Sequence, residues 1–284
     1  RAAPPAAGPG RHFPLHPRAR PRRRAPLGTQ ASRGSLIGNP QTRPVQSHRR
    51  TRIKMCGFTR EQDVDAAVAA GADAIGFVLY PPSPRAVSVE RAAELARRLP
   101  AFVTPVLLFV NEETSKIRAA CALIKSAIVQ FHGEESPEDC HAAESPYLRA
   151  ARIPMGKGAP GFELLEYARR FDTAQGILLD ALVDGYGGGG KTFDWTAFNW
   201  SHLPPNVGSR LVLSGGLTPA NVTDGILQVR PWAVDVSSGI ELDGSDGRPL
   251  RGIKCPDRMN RFVAAVRAAD DALKRFTPQV TSGH

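Results

Sequence analysis

The stretch Arg52-Ile53-Lys54-Met55-Cys56-Gly57-Phe58-Thr59 reads as a short strand, a glycine turn and the beginning of a helix. It places a thiol at the carboxyl end of a strand, where α/β barrels keep their chemistry. A lone cysteine is otherwise a small buried hydrophobe, so the weight of Cys56 rests on the rest of the chain. Lys54, two residues earlier, shares its face of the strand. A cation there would favour the thiolate over the thiol.

Downstream of this stretch, apolar runs alternate with amphipathic ones. Strands are predicted at 52–56, 73–79, 104–110, 126–131, 147–152, 176–180, 209–213 and 232–236. Several, such as Ala74-Ile75-Gly76-Phe77-Val78-Leu79, are almost wholly apolar, as strands covered on both faces are. Helix signals fall between them. Thr59 and Gln62 have capping-box spacing ahead of the stripe Val64, Ala67 and Val68, and Gly71 closes that helix. Ser88 caps a helix carrying Ala92, Leu95, Ala96 and Leu99, stopped by Pro100. Ser136-Pro137 and Thr218-Pro219 each set a cap residue before a proline at the first helical position. Asn111, after the third strand, reads as a cap. Eight βα units in about 220 residues predict a single-domain (β/α)8 TIM barrel over residues 51–276. The alternative is an open doubly wound sheet, but its GxGxxG after the first strand is absent.

The net charge of +10 suggests a nucleic-acid binder until it is located. Of 37 Lys and Arg, 11 lie in residues 1–50, all Arg, where no acid occurs. The remainder carries 26 basic against 27 acidic side chains, so the predicted barrel has no excess for nucleic acid. Residues 1–50 are rich in Pro, Arg, Gly and Ala without apolar periodicity, and a basic disordered extension is expected there. It lacks the apolar core of a secretory signal. An organelle transit peptide, a basic tail and sequence upstream of the true start are the competing readings, the last favoured. A flexible tail is expected over 277–284. No apolar run is long enough for a transmembrane helix. Four cysteines without a CxxC pair fit a reducing cytoplasmic setting. Cys and His are not at zinc spacing, so neither metal nor cofactor is expected. No apolar stripe stands out for self-association, which favours a monomer.

The loops after the strands hold the candidate chemistry. Pro81-Pro82-Ser83-Pro84-Arg85 is a stiffened loop whose guanidinium suits a carboxylate through paired hydrogen bonds. In Gln130-Phe131-His132-Gly133, Gln130 and His132 share a face. His132 is either a donor to a substrate or a structural histidine. Asp180 ends a run of large apolar residues and is either a cap or a partly buried acid/base. Gly187-Gly188-Gly189-Gly190-Lys191 lets backbone N–H groups approach an anion. Gly185 to Gly190-Lys191-Thr192 fits the Walker A spacing only by accident, because the strand–loop–helix context is poor where Phe193-Asp194-Trp195 follow. Ser214-Gly215-Gly216-Leu217 and Asp235-Val236-Ser237-Ser238-Gly239 put small residues after strands seven and eight, where barrels build phosphate sites.

Taken in order, Arg52 to Gly57, Gly76-Phe77, Ser83-Pro84-Arg85, Gln130 to Gly133, Leu178-Leu179-Asp180, Gly188 to Trp195, Ser214 to Leu217 and Asp235 to Glu241 resemble the phosphoribosylanthranilate isomerase family. The resemblance runs from about residue 52 to about 270 and is carried by the series, not by any one motif. It implies an enzyme of tryptophan biosynthesis that isomerises a phosphosugar–anthranilate substrate by an Amadori rearrangement. It implies Cys56 as general base and Asp180 as general acid. Arg85 and His132 would contact the anthranilate side. Gly189, Gly190, Gly215, Gly216, Ser237 and Ser238 would hold the phosphate. The chain departs from the family pattern in its first 50 residues, in the four-glycine run, and in the stretch Leu242 to Pro249 with Cys255 after it. Other phosphosugar barrels, such as indole-glycerol-phosphate synthase or a pentose-phosphate epimerase, need Lys/Glu or metal-ligand sets not found here. A phosphate-binding barrel without catalysis is the reading from another class, and the presence of both Cys56 and Asp180 argues against it.

Overall fold

The computed structural model describes residues 50–154, 162–181, 195, 200, 203–208 and 210–276. Eight parallel strands close into a barrel in sequential order. They are β1 (Arg52–Cys56), β2 (Ala74–Val78), β3 (Thr104–Phe109), β4 (Ile128–Phe131), β5 (Tyr147–Ile153), β6 (Gly176–Ala181), β7 (Leu211–Leu213) and β8 (Ala233–Val236). Each lies where the apolar runs place it, with its bounds within two residues of the predicted ones. The helices between them are α1 (Glu61–Ala70), α2 (Val89–Ala96), α3 (Thr114–Leu123), α4 (Pro137–Ala142), α5 (Leu164–Arg170), α6 (Pro205–Gly208) and α7 (Val222–Val229). After β8, a 3-10 turn at Ser238–Ile240 leads into an antiparallel hairpin, β9 (Glu241–Asp243) and β10 (Pro249–Lys254), and then α8 (Pro256–Phe276). The stretch Leu242 to Pro249 is therefore a hairpin on the barrel rim. No helix among the described residues is long and apolar enough to cross a membrane.

The strands are apolar on both faces because the barrel has two cores. The larger lies between sheet and helices and includes Ile53, Met55, Phe77, Leu107, Phe131 and Leu179. The alternate residues point into the barrel. Ala150, Leu178, Val212 and Ala233 form one interior cluster, and Cys56, Val78, Leu108 and Val110 form another. Period two thus sends the Cys56 side chain into the mouth while its neighbour Met55 anchors the outer core.

Local capping is only partly as the residues suggest. Ser88 accepts from Arg91 N at 3.1 Å, Ser136 and Asp139 form a full capping box, and Gly71 closes α1 at φ 99°. Thr59 is not a cap. α1 starts from Arg60 with no side-chain cap, and Thr59 Oγ1 instead donates to Gly252 O at 2.9 Å, tying the β1 loop to β10. Nor does Thr218-Pro219 begin α7. Thr218 N–H donates to Asn221 Oδ1 at 2.8 Å, holding residues 218–221 in a turn, and the helix begins at Val222. Asn111 caps no helix either. Its Oδ1 accepts from Glu134 N at 2.7 Å and joins the β3 loop to the β4 loop.

Candidate active site

Cys56 is buried at the mouth of the barrel, with Gly76 directly across from it on β2. That glycine has a steric reason: a Cβ there would stand 2.6 Å from Cys56 Sγ. Gly57, at φ 82°, turns the chain beneath Arg85, whose Cδ would be 2.5 Å from an added Cβ. At both positions side chains of the site fill the space that a Cβ would take.

Lys54 shares the Cys56 face, as the spacing predicts, but it is not a free cation. Its Nζ donates to Asp235 Oδ1 on β8 at 2.8 Å, both side chains being buried. Burial works against the Lys54 ammonium, but Asp235 and then Cys56 outweigh it and hold its pKa above the ordinary lysine value. The thiol feels the opposite balance. Burial raises the Cys56 pKa, Lys54 and Lys254 pull it down, Asp235 pushes it up, and the net direction is upward.

Asp180 ends β6 on the same rim. Its Oδ1 accepts from Ala181 N at 3.0 Å, and its Oδ2 lies 3.0 Å from His132 Nε2. Gln130 Nε2 lies 2.9 Å from His132 Nδ1, so an amide, an imidazole and a carboxylate form one buried row. The β4 loop beneath His132 is braced by Arg149, which donates to Phe131 O, Gly133 O and Glu135, while Glu135 accepts from Asn111 N and Gly133 N. Gly215, at φ 79°, packs against Asp180, with 3.1 Å from an added Cβ to Oδ1.

Arg85 is buried, and its paired hydrogen bonds go to this chain's own Glu241, at 2.6 and 2.8 Å. The fork expected to grip a ligand carboxylate is therefore occupied by protein, and Nη1 carries no such bond among the described residues. Lys254 completes this cluster. Its Nζ donates to Ser237 O at 3.0 Å and to Glu241 Oε1 at 3.3 Å. Burial brings the Lys254 pKa down to about 8. Burial alone would raise the Glu241 carboxyl, but Arg85 and Lys254 hold it below the usual range.

The small-residue loops after β7 and β8 interlock. A Cβ on Gly239 would stand 1.9 Å from Leu217 O. Ser237 Oγ donates to Cys56 O at 3.1 Å, which binds the β8 loop to β1. A cavity of about 570 Å³ opens beside these loops, lined by Gly216, Ser238 and Gly239 together with Arg85, Arg251 and Arg258. Gly189 and Gly190 lie outside the described residues. Asp235, Glu241 and Lys254 are buried charges at the site to which the residue-by-residue reading gave no role. The two acids stand inside the Asp235-to-Glu241 series, whereas nothing local marks Lys254.

Residues 53–249 match the family model for N-(5'-phosphoribosyl)anthranilate (PRA) isomerase. An N-(5'-phosphoribosyl)anthranilate isomerase of Methylibium petroleiphilum is 60% identical over 221 residues, which cover 78% of this chain and 96% of that relative. A crystal structure of the isomerase in complex with reduced 1-(o-carboxyphenylamino)-1-deoxyribulose 5-phosphate is 34% identical, with a TM-score of 0.59 over 77% of this chain and 99% of that one. A structure of monomers generated from the dimeric Thermotoga maritima isomerase is likewise 34% identical, with a TM-score of 0.59 and the same coverage. On the shared barrel, the ordered site residues and these likenesses, the chain belongs to the phosphoribosylanthranilate isomerase family, enzymes of tryptophan biosynthesis.

Proposed function

We propose that this chain converts N-(5-phosphoribosyl)anthranilate into 1-(2-carboxyphenylamino)-1-deoxyribulose 5-phosphate by acid/base catalysis, with Asp180 as general acid and Cys56 as general base. Asp180, in its protonated form, gives its proton to the furanose ring oxygen. The C1′–O bond breaks toward that oxygen, and the anthranilate nitrogen lone pair forms the Schiff base. The Cys56 thiolate then takes the proton from C2′, and the electron pair of that C–H bond flows to the nitrogen, leaving an enolamine. Loss of the enol O–H proton and protonation at C1′ give the ketone. The observation that carries this reading is the placement of a buried thiol beside Lys54 and a buried carboxylate beside His132, both at strand ends of one barrel mouth.

Gly215, Gly216, Ser237 and Ser238, with Gly189 and Gly190, hold the phosphate in this reading, supported by the interlocked loops and the adjoining arginine-lined cavity. Arg85 meets the anthranilate carboxylate through Nη1, its fork being held by Glu241. His132 serves the anthranilate side from its place against Asp180. The reading carries no cofactor, a monomer and a cytoplasmic location, the last supported by four unpaired cysteines. The test is turnover, followed by loss of anthranilate fluorescence. Cys56→Ala and Asp180→Asn are each expected to lose about 10²–10⁴ in kcat while still binding the phosphate product. A chain lacking residues 1–50 is expected to keep full activity. Wild-type-like turnover in either point variant would refute the assigned roles.

A further inference from the structure

The cavity of about 570 Å³ beside the β7 and β8 loops is of a size that holds a small-molecule ligand. Four arginines line it, Arg85, Arg251, Arg258 and Arg261, and among the described residues no Asp or Glu does. Two of the four are already matched. Arg85 holds Glu241, and Arg258 holds Asp243 while its Nη1 donates to Glu241 O at 2.6 Å. Arg251 and Arg261 are exposed, and neither has an ion pair among the described residues. Arg261 makes only a long bond from Nε to Asp257 O, at 3.4 Å, which leaves its Nη groups open. A cleft lined by one sign of charge concentrates the opposite sign.

The backbone fixes where these two arginines stand. Gly252, next to Arg251, takes φ 84°. Its N–H donates to Glu241 Oε1 at 2.8 Å, and its O accepts from Thr59 Oγ1 at 2.9 Å. The carboxylate that holds Arg85 therefore also holds the strand that carries Arg251. Arg261 lies three residues after Arg258 on α8, one turn along the same face, and Arg258 is tied to β9 through Asp243. Gly216, lining the same cavity, stands at φ 66°, and its N–H has no backbone acceptor among the described residues.

We propose that Arg251 and Arg261 are specificity-determining residues that bind the phosphate of the substrate from its solvent side, completing a site whose inner side is the backbone of the β7 and β8 loops. A phosphate monoester presents three acceptor oxygens. Loop N–H groups serve the oxygens turned toward the protein. Two open guanidiniums suit the outward ones through paired, charge-assisted hydrogen bonds. The inference rests on the isomerase reading and adds a preference for a phosphorylated sugar that comes from β10 and α8, outside the loops where barrels build their phosphate sites.

The experiment uses the full chain. Calorimetric titration with inorganic phosphate at fixed ionic strength gives Kd for wild type, Arg251→Gln, Arg261→Gln, the double variant and Arg248→Gln. Arg248 is the control: it is exposed on the same hairpin, its ion pair is with Asp246 at 3.9 Å, and it does not line the cavity. The kcat and KM for the anthranilate substrate are measured alongside, after circular dichroism has confirmed each fold. Each single variant is expected to raise Kd about fivefold and the double variant about twentyfold, a modest loss because exposed cations are screened. KM should rise in step while kcat stays within about twofold, and Arg248→Gln should match wild type. A double variant that binds phosphate as tightly as wild type overturns the proposal, as does a wild type that binds none. An equal loss in Arg248→Gln assigns the effect to net charge and overturns the contact. Weaker phosphate binding with KM unmoved puts the anion off the substrate's path and overturns it too. If the wild type fails to isomerise the anthranilate substrate, the isomerase reading falls separately, and the phosphate titration still decides whether these arginines hold a phosphate.

Discussion

Replacing Gly76 by alanine tests whether the thiol must sit where the barrel holds it. The added Cβ would meet Cys56 Sγ at 2.6 Å, and Cys56 Cα and Cβ at 3.1 Å. Non-bonded carbon atoms rest at about 3.5–4.0 Å, so the sulfur has to retreat by about 1 Å. The backbone has little room to give instead, because Gly57 N and Phe58 N both donate to Gly76 O, at 2.9 and 3.2 Å. Overpacking of this kind costs about 1–3 kcal/mol of stability, and a chain of this size would lose roughly 2–4 °C of melting temperature per kcal/mol. The catalytic loss should be larger in proportion, because misplacing a reacting atom by about 1 Å costs on the order of 100-fold. The expected result is therefore a folded protein with kcat down about a hundredfold and KM nearly unchanged. Turnover is read by fluorescence at saturating substrate, after circular dichroism has confirmed the fold. Gly208→Ala is the control, since nothing lies within 4 Å of its added Cβ. A folded Gly76→Ala protein with kcat within about threefold of wild type would show that the thiol's position is not what the site depends on.

Three further predictions follow from the buried charges. Lys54→Met removes the cation nearest the thiol and should shift the thiolate limb of the pH–rate profile upward; an unchanged profile removes Lys54 from thiolate formation. Glu241→Gln leaves Arg85 and Lys254 buried without their shared anion and should cost about 3–5 kcal/mol in denaturant unfolding, with KM raised through a loosened Arg85. An unfolding midpoint equal to wild type would show that the cluster is dispensable. Burial brings the Lys254 pKa in the folded chain down to about 8 from the ordinary lysine value of 10.5, so the unfolded chain holds the extra proton between these values. Its contribution to stability is unfavourable below pH 8 and is relieved as pH rises toward 10.5. Wild type should thus gain on Lys254→Met by up to about 3 kcal/mol across that window, with Glu241, Arg85 and Cys56 the charged neighbours common to both. Parallel stability curves would place the proton elsewhere.

The barrel was legible because strands covered on both faces are largely apolar, and several of the polar exceptions within them line the candidate site. Lys54, Gln130 and Asp180 interrupt runs that packing alone would have filled with aliphatic residues. Period two then told which of them share a face, and Gln130 and His132 do meet. What failed was local capping where a distant partner competes. Thr59 has the right neighbours for a cap, but its hydroxyl is taken by Gly252 O, 193 residues away. Thr218 loses its role to Asn221, whose side-chain amide oxygen accepts from Thr218 N and closes the turn. Arg85 was found, yet its use of its fork on Glu241 is invisible locally, since the two are 156 residues apart. Lys254 lies between two departures from the family pattern, Leu242 to Pro249 and Cys255, and only the folded rim shows that it is buried.

The seam between β1 and β8 sets an order in time. Cys56 is made early, but the carboxylate that engages its neighbouring lysine comes 181 residues after that lysine, and the loop that grips Cys56 O comes with it. Closure is completed later still. Lys254 N bonds Asp63 Oδ2 at 3.0 Å, and Asp270 on α8 accepts from Thr51 Oγ1 at 2.6 Å. Domains that grow from the ribosome fold as units once enough chain has emerged. A chain that stops short of β8 therefore lacks both the Lys54–Asp235 pair and the hydroxyl that holds Cys56 O. The surroundings of the thiol are thus completed only when the carboxyl-terminal end of the barrel has closed on its start.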